Sequence, residues 1–325
     1  MVHRFYNKTP WIRASRNIIF PANSHTCQVS LKLDALQVSG SFKDRGISHM
    51  MRTLAVPGIN HVISSSGGNA GLAAATAAER LGLQIQVFVP ETALPLMINK
   101  IKSRNKASVI VKGANWNEAN GYALEAMDRI GRNQTVYIPP YDHPLIWEGN
   151  STLVDEILED CGGDPNKFPK VIVLSVGGGG LLRGVQLGLE RLGLAHHTQI
   201  FAVETHGTAS FAAGKKAGKV VYLDKINSIA TSLGALSVVP SCLTSPVRTT
   251  SFVVSDAEAV DACYDFLNEH RILVEPACGA ALAMANPRLR EAFNGIDSAL
   301  FVVCGGSAIN LEMLAAYRQK VGSAL

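Results

Sequence analysis

From His61 onward the chain alternates short β-branched runs with alanine- and leucine-rich segments of helical spacing. Residues 61–63 read as a strand, a Gly-rich turn follows, and 72–83 read as a helix. The same pattern predicts strands over 84–89, 108–111 and 135–138, with helices over 94–104 and 116–130. Pro139-Pro140 closes this block. A second block repeats the logic with a strand over 171–176, a helix over 181–192 and a strand over 199–204, and residues 299–304 add a late strand. Parallel strands need crossovers, and crossovers bring helices. The pattern therefore predicts an α/β class with mostly parallel sheets covered by helices. Two domains are expected, a small one over 40–140 and a large one formed by 1–39 plus 141–325.

Composition narrows the picture. A chain of 325 residues with 47% apolar residues can bury a large core, and disorder is not expected. Formal net charge is only +4 and the basic residues are scattered, so nucleic acid is not an expected partner. Cys27, Cys161, Cys242, Cys263, Cys278 and Cys304 show no paired zinc-type or disulfide-type spacing, which fits a reducing compartment. No apolar stretch is long enough to cross a bilayer. A cytoplasmic protein is expected. The stretch 3–16 carries several basic residues and no acidic one, which keeps a mitochondrial address open.

Three loops carry candidate chemistry. In Val171-Ile-Val-Leu-Ser-Val-Gly-Gly-Gly-Gly-Leu-Leu182 a buried-looking strand runs into Gly177, Gly178, Gly179 and Gly180, and then into a helix. Each glycine costs roughly 0.5 to 1 kcal/mol against alanine inside a regular element, so such a run points to unusual backbone angles or a closely approaching ligand. Consecutive amides before a positive helix terminus suit a phosphate. A tight strand-to-helix turn also uses glycine, although one or two suffice. Glu204 at the end of the next strand keeps a dinucleotide-binding unit of a nicotinamide oxidoreductase in play, but the glycines are contiguous rather than spaced as Gly-x-Gly-x-x-Gly.

The second loop, Ser39-Gly-Ser-Phe-Lys-Asp-Arg-Gly46, places Lys43 where a helix should begin. Lys43 is the candidate imine former, because only a lysine presented as free amine attacks a carbonyl; a solvated lysine in a Ser/Gly turn is the plain alternative. The third loop, Ser64-Ser-Ser-Gly-Gly-Asn-Ala-Gly71, offers hydroxyls and backbone donors to an amino-acid carboxylate. Its candidate substrate-binding residues are Ser64, Ser65, Ser66, Gly67, Asn69 and Ala70. Asn69 suits either a cofactor oxygen or a helix N-cap.

With these residues in view, the chain resembles the catabolic L-serine/L-threonine dehydratases, which are fold type II pyridoxal-phosphate (PLP) enzymes with a tryptophan synthase β-like architecture. The resemblance runs over nearly the whole length. It rests on Lys32-Leu-Asp-Ala-Leu-Gln37, on the lysine and substrate loops, on Asp142-His-Pro-Leu-Ile-Trp-Glu-Gly149, on the glycine run, on Val274-Glu-Pro-Ala-Cys-Gly-Ala-Ala281 and on Val303-Cys-Gly-Gly-Ser307. It implies that Lys43 binds the cofactor covalently, that Phe42 stacks near its ring and that Asn69 meets the ring oxygen. It further implies that Gly177 to Gly180 and Leu181 hold the phosphate, and that Cys304 faces the pyridine nitrogen. Many PLP enzymes place a carboxylate at that nitrogen; a thiol gives a weaker electron sink, which suits β-elimination. The resemblance also implies a homodimer and a potassium site from Glu204, Thr208, Ser210 and backbone oxygens near Leu233. Dehydration of serine to pyruvate and of threonine to 2-oxobutanoate, with release of ammonia, is the expected activity. A serine racemase or a β-replacement synthase on the same fold shares its early steps. Val38 stands where many relatives have proline and Gly67 where some have alanine, which motivates a weakly active binding paralogue as the non-enzyme alternative.

Overall fold

A computed structural model describes residues 5–14 and 27–322. Residues 3, 4, 15 and 16 of the basic N-terminal stretch lie outside the described residues. The strands among the described residues are Trp11–Arg13 (β1), Gln28–Lys32 (β2), His61–Ser64 (β3), Gln84–Val89 (β4), Ala107–Val111 (β5), Thr135–Ile138 (β6), Val171–Ser175 (β7), Gln199–Thr205 (β8), Thr249–Val254 (β9) and Ser298–Val302 (β10). The chain forms two compact units. One holds Gln37–Asn150 with the described residues up to Asn7, and the other holds the described residues of Lys8–Leu36 and Ser151–Leu325.

The first unit carries a four-stranded, wholly parallel sheet in the order β5-β4-β3-β6. Helix Trp116–Ile130 starts where expected because Asn115 accepts a hydrogen bond from the Glu118 amide at 3.1 Å. Its Ala123 and Ala126 pack with Ile63 and Phe88 of the sheet, the small helical side chains letting backbone approach strand closely. Helix Lys43–Leu54 crosses the start of helix Pro144–Asp160 at two glycines. A Cβ on Gly149 would stand 2.5 Å from the Arg45 carbonyl, and one on Gly46 would stand 2.6 Å from the Ile146 carbonyl. That close crossing sets the position of Lys43 at the helix start.

The second unit carries a six-stranded sheet in the order β1-β2-β10-β7-β8-β9, parallel except for the β1–β2 pair. Every residue of β7 is buried, as a central parallel strand with both faces covered requires. β2 escapes a periodicity reading because it ends in a buried cation. Lys32 is fully buried with Nζ 3.1 Å from Glu156, 3.0 Å from Asp160 and 2.8 Å from the Thr9 carbonyl. No described helix is long and apolar enough to cross a membrane.

Candidate active site

The residues singled out from sequence divide between the units. Phe42, Lys43, Ser64, Ser65, Ser66, Gly67, Asn69 and Ala70 belong to the first; Gly177 to Leu181, Glu204, Thr208, Ser210, Leu233 and Cys304 belong to the second.

In the first unit, Lys43 opens helix Lys43–Leu54, and the preceding turn is closed by Asp44, whose carboxylate accepts from the Ser39 amide at 2.8 Å. Lys43 Nζ donates to the Pro140 carbonyl at 2.6 Å and lies 5.2 Å from the Phe42 ring centre and 5.9 Å from that of Tyr141. The 64–71 loop leaves the carboxyl end of β3 and enters helix Asn69–Leu81. Gly68, not Asn69, is the cap residue, so the amide side chain is not spent as an N-cap. Ser64 Oγ donates to the Ile138 carbonyl at 3.1 Å, and Ser65 Oγ lies 3.0 Å from the Tyr137 hydroxyl. Lysine turn and substrate loop thus meet one short stretch, Tyr137, Ile138 and Pro140, at the carboxyl end of β6. In open parallel sheets this is the edge at which ligands bind. Ser41 Oγ, two residues before Lys43, is buried and meets no hydrogen-bond partner among the described residues.

In the second unit, three adjacent strands deliver their candidates to one sheet edge. The glycine loop follows β7, Cys304 follows β10 and Glu204 lies near the end of β8. Gly179 has φ +91°, a left-handed angle that favours glycine, and a Cβ there would lie 2.8 Å from both Cys242 Sγ and Val238 Cγ2. Gly177 faces the Leu233 backbone, which a Cβ would meet at 3.0 Å. Among the described residues the amides of Gly177, Gly178 and Gly179 donate no hydrogen bond, and helix Gly180–Arg191 starts behind them. Undonated amides, a positive helix end and glycines with no room for a side chain suit a phosphate group.

Cys304 is buried, and its thiol is held well above the usual range by a hydrogen bond with Cys278 and by burial, with Glu275 nearby. It is a neutral thiol. Glu204 is buried and pushed up to about 7 by burial, opposed by amide hydrogen bonds from Phe211 at 2.7 Å and Ala212 at 2.8 Å. Its carboxylate thus caps helix Ser210–Ala217. Thr208 Oγ1 bonds Thr205, while Ser210 Oγ is buried with no partner among the described residues.

Sequence reasoning gave Glu275 no role. Glu275 lines a small, partly open pocket with Tyr317 and the 229–232 segment, and its carboxyl lies against Gly306. A charged residue followed by proline at the head of the apolar helix Pro276–Leu282 was the available signal.

Residues 2–305 match the family model of the pyridoxal-phosphate dependent enzymes. The chain is 42% identical over 298 residues to a rat serine dehydratase-like protein, covering 88% of this chain and 87% of that one. It is 39% identical to the catabolic L-serine/threonine dehydratase of Saccharomyces cerevisiae, covering 95% and 89%. A fungal L-serine ammonia-lyase from Rhizomucor miehei superposes with a TM-score of 0.86 at 33% identity, covering 97% of this chain and 99% of that one. These matches replace the nicotinamide reading of the glycine loop, in keeping with the capping role of Glu204. The chain belongs to the catabolic L-serine/L-threonine dehydratase family of fold type II pyridoxal-phosphate dependent enzymes.

Proposed function

We propose that this chain is an L-serine and L-threonine ammonia-lyase with Lys43 as its catalytic residue. The Cα hydrogen and Cβ hydroxyl of the substrate leave together as water, and hydrolysis then releases the nitrogen as ammonia. Serine yields pyruvate and threonine yields 2-oxobutanoate. The observation that carries this reading is the meeting of Lys43 Nζ and the 64–71 loop on Tyr137, Ile138 and Pro140. It puts a basic nitrogen beside a loop of amides suited to an amino-acid carboxylate.

The cofactor would be held by Lys43 covalently, by Phe42 and Asn69 at its ring, by Gly177, Gly178, Gly179, Gly180 and Leu181 at its phosphate, and by Cys304 at its ring nitrogen. Bound there, pyridoxal phosphate supplies the sink for the electron pair left at Cα. Lys43 Nζ takes the α-proton as general base, steadied by the Pro140 carbonyl and the flanking rings. Ser66 and the loop amides, with Gly67, Asn69 and Ala70, orient the carboxylate. The inward hydroxyls of Ser64 and Ser65 hold that loop in place. Cys304, kept neutral by its neighbours, carries no charge to fix a proton on the ring nitrogen. A modest sink favours departure of the hydroxyl over a long-lived carbanion, which supports elimination over transamination.

Potassium belongs to the proposal, with Glu204, Thr208, Ser210 and the Leu233 backbone as its ligands. Leu233 against Gly177 and the unpartnered Ser210 hydroxyl support that placement. A cytoplasmic location, supported by six free cysteines, and a homodimer, which rests on the family resemblance alone, complete it. Feeding L-serine, L-threonine and D-serine separately, while measuring keto acid, ammonia and inverted amino acid, tests the activity. Keto acid and ammonia in equal amounts are expected from the L-substrates. Inverted serine without keto acid would instead mean a racemase, and silence with cofactor bound would mean an inert paralogue.

A further inference from the structure

The substrate loop is tied into its unit by a chain of three polar side chains. Ser65 is fully buried, its Oγ 3.0 Å from the Tyr137 hydroxyl, and that hydroxyl donates to Asn120 Oδ1 at 2.6 Å. A phenol has one proton to give, and here it goes to Asn120. Ser65 is therefore the donor to Tyr137. Burial pushes the phenol's pKa up, against the pull of the Ser65 hydrogen bond, so the proton that Asn120 receives stays in place. The Ser65 hydroxyl is spent inward, toward β6 and helix Trp116–Ile130, one residue before the segment that receives the substrate.

We propose that Tyr137, backed by Asn120, is a positioning residue for substrate affinity. It fixes Ser65, and through Ser65 the direction in which the amides of residues 66–70 point. The proposal rests on the reading of this loop as the carboxylate site. Without the anchor the same amides are present but must be ordered by the substrate itself, and that ordering cost falls on binding rather than on the chemical step.

The test compares holoenzymes carrying Tyr137→Phe, Ser65→Ala and both. Each single variant should raise KM for L-serine roughly three- to tenfold, with kcat within about twofold, the worth of one hydrogen bond. The double variant should be no worse than either single one, because both cut the same chain. Amide hydrogen exchange of a peptide spanning 64–71 should quicken in every variant, a readout that needs no turnover. Asn120→Ala serves if Tyr137→Phe does not fold, and should act in the same direction. Unchanged KM with unchanged exchange overturns the proposal. So do penalties that add in the double variant, which would mean that Ser65 touches the substrate directly, and so does a fall in kcat with KM unmoved. Should the parent release no ammonia from serine, the lyase reading fails on its own, and loop exchange still decides the role of Tyr137.

Discussion

The 177–180 loop, proposed for a phosphate, and the 64–71 loop, proposed for a carboxylate, are held in shape by opposite means. The 177–180 loop is shaped by exclusion: Gly179 takes a left-handed angle and leaves room for nothing beyond its hydrogen beside Cys242 and Val238. The 64–71 loop is shaped by attachment, through Ser64 to Ile138 and through Ser65 to Tyr137 and Asn120. The first should fail when a side chain is added, and the second when one is trimmed.

Lys43→Ala sets the scale for both loops: keto acid formation should fall by at least about a thousandfold in a coupled assay, as loss of the proposed covalent catalyst and base demands. Adding a methyl group at the phosphate loop comes next. Gly179→Ala must absorb both a disfavoured φ and a 2.8 Å approach to Cys242 Sγ, so affinity for pyridoxal phosphate should weaken about ten- to hundredfold by absorbance titration. Parent-like affinity in that variant would break the contrast with the substrate loop.

Glu204 sharpens it through pH. Its carboxyl is raised from 4.5 to about 7 in the folded protein, chiefly by burial, so the folded state is favoured while the group is protonated. That contribution is full below about 4.5 and is lost as pH rises through about 7. Measured by denaturant unfolding without potassium and relative to Glu204→Gln, the parent should lose on the order of a few kcal/mol across that window. Potassium added at pH 8 should return part of it, if the ionised carboxylate is a ligand. The smallest effect is expected at Cys304. Cys304→Ser keeps a neutral group at the position proposed for the ring nitrogen, so kcat should stay within about fivefold of the parent under saturating serine.

The same contrast explains how much could be read before the fold was known. Strands β4 and β6 and helix Trp116–Ile130 match their expected bounds, because alternation, the Pro139-Pro140 stop and the Asn115 cap are all local. Lys43 at a helix start and the glycine run at a strand end were legible for the same reason. β2 was hidden, since a buried lysine paired with Glu156 and Asp160 reads as a surface residue until its partners more than a hundred residues away are known. β9 and helix Pro144–Asp160 also went unassigned. The Pro140 carbonyl on Lys43, the Tyr137 link to Ser65 and the Cys278 link to Cys304 were illegible too, because each joins residues brought together only by the sheet order.

Borohydride reduction of the holoenzyme, followed by digestion and mass mapping, reads the covalent centre most directly. One phosphopyridoxyl group is expected, on the peptide that carries Lys43. The same group found on any other lysine, or a protein that takes up no pyridoxal phosphate, would contradict it.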